Sequence, residues 1–324
     1  MKILIIGNCY EKYRMEYSIR KAFIRLGHKV IGFNDRRLKK IFGFKMANNI
    51  LWRIYKSFKP DFIYVSLVNH IDTDILREMT LKCKSVMWNY DWEEPFVPKH
   101  LEVAKCVDVL FITNLSQIED YLKAGVKRVE FLPQACDSKL HYKLNYKVSK
   151  CLSDVAFIGS GESNVWDRSV RINLLRKVAR EFNLKIYGPH WERYKNELPV
   201  INKKVKGKKF LKICAYSKIN LGVIGGNGAW MKVKMGTSNR LWLVLGCGGF
   251  YLGFKNPGLD LLLKDNFHLA FYESDEECID KIKFYLKNDS LREKIAQNGY
   301  EFVHKYHTYD NRVHNLLNME GYKI

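Results

Sequence analysis

The sequence predicts an α/β protein with two doubly wound parallel sheets, and three observations support this fold class. The chain has 324 residues, of which 47% are hydrophobic, so it can bury two separate cores. Short apolar runs alternate with amphipathic stretches, which is typical of a parallel sheet covered by helices. The alternation restarts after a polar, lysine-rich segment at residues 138–153, which we interpret as the hinge between domains 1–147 and 148–307.

The first domain contains six predicted strands, each a short apolar run bounded by polar residues or glycine. These strands are 2–7, 29–34, 62–67, 85–89, 109–113 and 129–132. Predicted helices cover residues 13–26 and 116–123. Gly27 and Gly125 follow them and are expected to provide left-handed caps.

The second domain repeats the pattern with five predicted strands and three helices. The strands are 154–159, 184–188, 219–224, 249–252 and 269–272, and the helices are 168–181, 208–216 and 239–246. Doubly wound sheets bind ligands at the carboxyl ends of their strands. We therefore expect the functional site in a cleft between two such edges.

The charge of the chain predicts a polyanionic partner. There are 55 Lys and Arg residues against 34 Asp and Glu, a formal net charge of +21, and cations cluster in residues 36–45, 139–150 and 203–212. Such a surface attracts nucleic acid, anionic lipid or a phosphorylated carrier. The alternative is a compositional bias that places lysines on an ordinary solvated surface.

Cysteine spacing and hydropathy indicate a protein of the cytoplasm. The eight cysteines are scattered singly without metal-binding spacing, which favours small reduced core residues. Neither a spanning segment nor a cleaved leader is predicted. We expect a cytoplasmic protein that binds peripherally to the inner face of the membrane.

Residues 237–252, TSNRLWLVLGCGGFYL, predict an anion site at a helix start. Ser238 or Asn239 is expected to cap the helix, and Arg240 lies in its first turn. Free N–H groups, the positive end of the helix dipole and a guanidinium together favour a phosphate. The alternative is an ordinary buried helix with a solvated arginine.

Motifs spread over most of the chain resemble one family. They are MWNYDWEEPF (87–96), VDVLFITNLSQIEDYLKAGVKRVEFLPQACD (107–137) with His141, DVAFIGS (154–160), LKIYGPHW (184–191), YSKINLGV (216–223), the segment 237–252 and the tail from residue 271 to 317. In this order they are similar to GT-B glycosyltransferases of the group-1 type, closest to the CgeB-like (spore maturation) group. The resemblance implies a GT-B architecture, with two Rossmann-like domains facing across a cleft and residues 308–324 returning to the first domain.

The resemblance further implies a retaining transfer of a sugar from a nucleotide-diphosphate donor, bound by the second domain as a co-substrate, without cofactor or metal. Arg168 or Arg171, together with Arg240, is expected to bind the diphosphate and stabilise the leaving group. A nucleoside wall is expected from Tyr187, Gly188, His190 and Trp191, with Trp191 as a stacking surface; the alternative is a packed aromatic turn.

One position departs from the family pattern. Relatives commonly have a glutamate for the donor ribose where this chain has Leu243. Glu273 is a replacement candidate, as are Glu276 and Glu277, although the latter pair also fits the first turn of a helix. The departure leaves a non-catalytic member of the family as an open alternative.

The acceptor side is expected in the first domain. Asp91 follows a predicted strand among Trp88, Tyr90 and Trp92, aromatics expected to raise its pKa and to contact the acceptor, so Asp91 is a candidate acid, base or acceptor ligand. A turn-capping aspartate is the alternative. Further candidates are Gly7 and Asn8 after the first strand, where a dinucleotide fingerprint is lacking, and the loop histidines His70 and His268.

Asp72-Thr73-Asp74 forms a D-x-D motif, which in another glycosyltransferase class binds a divalent cation. The helical pattern at residues 75–79 follows at once, so we interpret Asp72 or Asp74 as an N-cap.

Three functional hypotheses follow. The first is a transferase acting on a lipid-linked or cell-envelope glycan, with the basic surface on a membrane. The second is a phage-type DNA-base glycosyltransferase whose aromatic loop at residues 88–92 receives an extruded base. The third is a non-catalytic nucleotide or nucleic-acid binding module with the same fold.

Overall fold

The computed structural model describes residues 1–93, 95–144, 151–161, 169–201, 203–223 and 233–319. It divides into two compact units: the first comprises Met1–Pro133 with Tyr309–Ile324, and the second Gln134–Thr308. The boundary thus lies after Pro133, whereas we predicted it after residue 147. The reason is that residues after Pro133 contact the second unit, since the Thr237 hydroxyl donates to the Gln134 side chain at 2.6 Å.

The first unit contains a six-stranded parallel sheet in the order β2-β1-β3-β4-β5-β6. Its elements are β1 (Lys2–Ile6), α1 (Met15–Arg25), β2 (Lys29–Phe33), α2 (Asp35–Phe58), β3 (Phe62–Val65), α3 (Thr73–Thr80), β4 (Lys84–Asn89), α4 (Pro98–Ala104), β5 (Val109–Ile112), α5 (Ile118–Lys123), β6 (Val129–Phe131) and α11 (Tyr309–Met319). All six strands were predicted, because each is a continuous apolar run, as expected for a sheet with both faces covered.

The second unit contains a second six-stranded parallel sheet, in the order β12-β11-β10-β7-β8-β9. Its elements are β7 (Ser153–Ile158), α6 (Ser169–Glu181), β8 (Leu184–Tyr187), β9 (Val200–Ile201), α7 (Lys208–Tyr216), β10 (Ser217–Gly222), α8 (Asn239–Gly246), β11 (Tyr251–Phe254), β12 (Ala270–Tyr272), α9 (Asp275–Lys287) and α10 (Asp289–Tyr306). The α/β fold class is confirmed. The sequence missed β9, which has only two residues and no alternation to detect.

Each sheet has its own hydrophobic core. In the first unit, Leu4, Ile63 and Leu110 from the strands are fully buried together with helix residues such as Leu76. In the second, Phe157 and Leu252 are buried with Ile282 of α9. Within the described part of the chain, no helix is both long and apolar enough to cross a membrane.

Two glycines allow strand ends to approach each other closely. Gly7 follows β1 with φ 148°, and a Cβ there would lie 2.8 Å from Cβ of Ser66, beyond the end of β3. Gly188 follows β8 with φ 148°, and a Cβ there would lie 2.0 Å from the carbonyl oxygen of Gly159. Both positions therefore require glycine for steric reasons.

The D-x-D motif is a helix cap, as predicted. A carboxylate oxygen of Asp72 accepts hydrogen bonds from the N–H groups of Asp74 (3.0 Å) and Ile75 (3.5 Å) at the start of α3. Asp74 pairs instead with Arg77 at 2.9 Å, with 88% of its side chain exposed. The two aspartates thus have different roles within one helix start.

This difference gives a prediction about stability. Asp72→Ala removes the cap and should lower the free energy of unfolding by about 1 kcal/mol, whereas Asp74→Ala removes an exposed pair worth only about 0.3–0.5 kcal/mol. Urea unfolding of the two variants followed by circular dichroism measures this. Equal losses from both variants would contradict the assignment of Asp72 as the cap.

Candidate active site

The second sheet reverses its strand order at β7, which has β8 on one side and β10 on the other. Where successive connections leave in opposite directions, a crevice opens at the carboxyl ends of the strands. In this unit the reversal lies between Ile158, the last residue of β7, and Gly222, the last residue of β10. We describe the side chains at this edge first.

Arg240, in the first turn of α8, lies at this reversal. Its Nε donates to the carbonyl oxygen of Ile158, and its Nη1 lies 3.5 Å from the carbonyl oxygen of Val223. The guanidinium carbon is 4.4 Å from the ring centroid of Phe157. Burial lowers the pKa of Arg240 from its ordinary value, an effect opposed by Tyr251 and Tyr272. The cation thus joins the ends of two parallel strands.

Arg171, in α6, places a second guanidinium at the same strand end. Arg171 is buried, its Nη1 donates to the carbonyl oxygen of Ser160 at 2.8 Å, and its guanidinium carbon is 5.4 Å from the Phe157 centroid. Two cations on one ring create a strongly positive edge. Arg168, the alternative to Arg171 in our prediction, lies outside the described residues.

The start of α8 adds backbone donors to this edge. Ser238 is the N-cap by backbone conformation, yet no side chain caps the helix. Asn239 is the first helical residue, and its Oδ1 atom is buried with no hydrogen-bond partner in the described part of the chain. Uncapped N–H groups at a helix start are suited to an anion.

The predicted nucleoside wall is only partly present. Trp191 is fully buried, donates from Nε1 to the Gly159 carbonyl at 2.9 Å and packs edge-on against Phe157, so the prediction of a stacking surface is wrong for this side chain. Tyr187 is also buried, and burial raises the pKa of its phenol. Gly188 and the exposed His190, which has φ 63°, remain at the strand end.

The three glutamates proposed to bind the donor ribose differ in their position and in their partners. Glu273 follows β12, and its exposed carboxylate lies 3.2 Å from the Lys255 ammonium group. Glu276 pairs with Lys177 at 3.1 Å, and Glu277 accepts the N–H of Glu273 at 2.7 Å, so both belong to the first turn of α9. Of the three, Glu273 alone lies directly at the end of a strand.

The first sheet reverses its order at β1, which lies between β2 and β3. Gly7 and Asn8 follow β1. The Asn8 side chain donates to Glu11 at 3.0 Å and accepts from Asn34 at 3.0 Å. At this edge Asn8 therefore ties the loop after β1 to the start of α2.

A buried polar cluster, formed by Glu16, Ser66 and Tyr90, lies at the same reversal. The Tyr90 hydroxyl donates to Glu16 Oε1 at 2.6 Å, the Ser66 hydroxyl lies 2.8 Å from that of Tyr90, and Arg14 is 3.4 Å from the other Glu16 oxygen. Burial and the Glu16 carboxylate together raise the pKa of Tyr90 well above its usual value. The phenol is thus held in place and protonated.

Asp91 follows Tyr90 at the end of β4, where its own N–H donates to the Asn89 side chain at 3.0 Å. The residue is exposed, yet the surrounding protein removes water from its carboxylate. This desolvation, and then the Glu93 carboxylate, raise the pKa of Asp91 above its ordinary value, while His100 opposes the shift. The raised pKa agrees with our prediction, although its cause is not a ring of exposed aromatics.

The tryptophans beside Asp91 belong to the core, which corrects their assignment to the acceptor side. Trp88 is 1% exposed and donates to the Leu132 carbonyl at 3.1 Å, and Trp92 is 8% exposed. His70 lies in the loop after β3, where its backbone N–H donates to Asp35 at 3.1 Å. His268 stacks on Phe302 with centroids 4.0 Å apart, which gives it a packing role.

Comparisons with known proteins agree with this geometry. Residues 168–318 match the family model described as glycosyl transferase-like. Among solved structures, HepE from Anabaena with UDP-glucose has a TM-score of 0.69 at 12% identity, covering 99% of both chains. A glycosyltransferase from Rickettsia africae has a TM-score of 0.67 at 11% identity, covering 98% of this chain and 97% of that one. The lipopolysaccharide outer core galactosyltransferase WaaB has 0.59 at 12%, covering 99% and 100%. No curated protein sequence matches the chain.

Residues 168–318 are thus similar to glycosyl transferases in sequence, and the whole chain has the two-sheet fold of the solved glycosyltransferases. The family match includes α6, α8 and α9, so Arg171, Arg240 and Glu273 all lie inside the matched region.

The position where the chain departs from the pattern of the resembled family lies in the core, away from the polar groups at the strand ends. Leu243 is partly buried and packs against the core cluster that contains Trp242 and Val303. No carboxylate therefore stands at this point of α8.

From the sequence alone, Glu16 was not identified as a candidate site residue. The residue is separated from Ser66 by 50 positions and from Tyr90 by 74, so no local motif connects them. One signal was available: Glu16 shares helical spacing with the buried Ile19 and Phe23. A carboxylate at a core position of an amphipathic helix requires a polar partner, and the structure provides three.

The raised pKa of Asp91 predicts a pH-dependent effect on stability. A carboxyl group whose pKa is higher in the folded state stabilises the fold at low pH, and this contribution is lost as pH rises through the folded pKa. Asp91→Asn should therefore unfold at a higher urea concentration than the wild type at pH 7, and this gain should shrink as the pH approaches 4. A variant less stable than the wild type at pH 7 would show that the Asp91 charge is stabilised instead.

Proposed function

We propose that the chain is a glycosyltransferase, which transfers a sugar from a nucleotide-diphosphate donor bound by the second unit to an acceptor bound by the first. The observation that carries the proposal is the pair of guanidinium groups, Arg171 and Arg240, on the Phe157 ring where the second sheet reverses. A diphosphate is the ligand whose charge and oxygen geometry best match two arginines beside a helix start.

Arg240, Arg171 and the N–H groups of α8 at Ser238 and Asn239 would bind the diphosphate, with Arg168 as a further candidate. When the bond between the sugar and the diphosphate breaks, negative charge accumulates on the leaving phosphate. Fixed cations lower the energy of that state more than that of the bound donor, and this difference is what accelerates the reaction.

The donor nucleoside would lie either at the end of β8 or beside Glu273 at the end of β12, because three strands separate these two in the sheet. Gly188 allows close approach of the backbone at the end of β8, and His190 is exposed there. Glu273 would offer its carboxylate to the ribose hydroxyls, because position 243 has a leucine instead of the glutamate that relatives commonly have. The HepE structures contain UDP, UDP with glucose, or UDP-glucose, which supports a UDP-sugar as the donor proposed for this chain.

The acceptor would bind at the edge of the first sheet. Asp91, just after β4, is an exposed polar residue at this edge, and the hydroxyl of the preceding Tyr90 is fixed by its hydrogen bond to Glu16. Because the chain has a net charge of +21, we propose an acceptor that is anionic or membrane-associated, namely a lipid-linked or envelope glycan. Retention of configuration and membership of the CgeB-like group are proposed on the resemblance of the ordered motifs.

DNA bases are a weaker choice of acceptor. That hypothesis used the aromatic loop to receive an extruded base, and Trp88 and Trp92 are buried. A non-catalytic binding module would retain the donor site but show no turnover, so the activity measurements below also test this alternative.

Arg240→Ala should remove transition-state stabilisation of about 2–4 kcal/mol, lowering kcat/KM by about 30-fold to 1,000-fold. The same variant should lose affinity for UDP while its weak affinity for uridine changes little. Release of UDP from UDP-sugar and calorimetric titration measure the two effects. Arg176→Ala is the matched control, because Arg176 forms an exposed pair with Glu197 at 2.8 Å. Unchanged turnover in Arg240→Ala would overturn the site assignment.

Because arginine cations are proposed to neutralise the leaving group, turnover should not require a divalent cation. We expect the rate of UDP release to be the same in excess EDTA and in millimolar Mg²⁺ or Mn²⁺. A rate that falls with EDTA and returns with either metal would show that a cation performs the role assigned to the arginines.

A further inference from the structure

Residues 36–46 of α2, with the sequence RRLKKIFGFKM, form a surface that we call the α2 patch. Its apolar side chains are largely exposed: Ile41 by 57%, Phe42 by 51%, Phe44 by 43% and Met46 by 51%. Its five basic side chains are also exposed: Arg36, Arg37, Lys39, Lys40 and Lys45. Several exposed large apolar side chains within one short segment are typical of a surface that binds a partner or a membrane.

A break in the helix shapes the patch. Gly43 has φ 77° and ψ 169°, a left-handed conformation that interrupts α2, and a Cβ there would meet no atom within 4 Å. Ile41 and Phe42 precede the break, and Phe44 and Met46 follow it. On an unbroken helix with about 100° between residues, these four side chains would spread over about 200° of its circumference. Because Gly43 interrupts the helix, the four side chains are not held in that helical arrangement.

The positive charges of the patch are not paired with carboxylates among the described residues. None of its five cations forms an ion pair with a carboxylate in the described part of the chain. The neighbouring carboxylate of Asp35 is buried and accepts the N–H groups of Asn69 and His70 at 3.2 and 3.1 Å. The patch therefore presents both apolar surface and unpaired positive charge.

We infer that the α2 patch binds the surface of an anionic lipid bilayer. The four apolar side chains would enter the boundary between headgroups and acyl chains, and the cations would bind lipid phosphates, each worth about 1 kcal/mol near such a surface. A nucleic acid would use the cations but leave two phenylalanines in water. The combination of apolar and basic side chains in one segment matches a bilayer.

The patch is continuous with the proposed acceptor edge of the first unit. Asn34, which caps α2, donates to Asn8 in the loop after β1 at 3.0 Å, and Asp35 contacts the loop after β3. A lipid-linked acceptor in the bound membrane would thus be presented beside that edge. This consequence rests on the proposed function, whereas membrane binding itself does not.

The chain provides its own matched control in α7. Lys208, Lys209 and Lys212 are exposed, but the apolar residues between them, Phe210 and Leu211, are buried at 7% and 2% exposure. A substitution of two lysines there changes the net charge of the protein by the same amount as in the patch, without an adjacent apolar surface.

The test is sedimentation with vesicles of phosphatidylcholine alone and of phosphatidylcholine with phosphatidylglycerol. The wild type should bind the anionic vesicles and not the neutral ones. Both Lys39→Glu/Lys40→Glu and Phe42→Ser/Phe44→Ser should weaken binding at least about tenfold. Lys208→Glu/Lys209→Glu should bind like the wild type. An equal loss in this control would mean that net charge alone causes binding, and would overturn the proposal.

Two further outcomes would also overturn it. Wild-type binding to duplex DNA but not to vesicles, lost in the Lys39/Lys40 variant, would make the patch a nucleic-acid surface. A wild-type dimer in ultracentrifugation that becomes a monomer in the Phe42/Phe44 variant would show that a second copy covers it. UDP titration of the same variants separates the two proposals: vesicle binding without UDP binding would contradict the donor site alone.

Discussion

One cation joins the ends of two parallel strands in the second unit. The Arg240 guanidinium contacts the carbonyl oxygens that follow β7 and β10, and lies over the Phe157 ring. Carbonyl dipoles and a ring face solvate a cation, but they carry no net charge. The positive charge at this edge is therefore stabilised without being cancelled by a carboxylate among these contacts. The position of α8, the close approach at Gly188 and the location of Arg171 all converge on this edge.

Most of the fold was predictable because parallel strands with both faces buried are continuous apolar runs. All six strands of the first unit and five of the six in the second were found in this way. Helix α2 was not predicted, since its first half carries exposed apolar residues and Gly43 interrupts the pattern. The boundary after Pro133 was also missed, because composition changes at the lysine-rich segment while contacts with the second unit begin earlier.

The sequence indicates which residues lie near the strand ends, but not the direction of their side chains. Arg240 at the start of α8 and Asp91 after β4 both lie near strand ends and have perturbed pKa values, as groups at functional sites often do. Trp88 and Trp191 also lie close to strand ends, yet their side chains enter the core. An aromatic residue has the same sequence signature in both cases. Glu16 was missed because its partners are distant along the chain.

The last helix of the chain belongs to the unit that is synthesised first. Helix α11 packs on α1, where Arg25 binds the Asp310 carboxylate at 2.7 and 3.0 Å, and Tyr309 lies edge-on to Trp88. The second unit is therefore an insertion between the body of the first and its closing helix. During synthesis on the ribosome, the first sheet therefore lacks this helix until the whole second unit has been translated. A chain released early by a stop codon before residue 309 would keep the strands of both sheets but lack the helix that packs on α1.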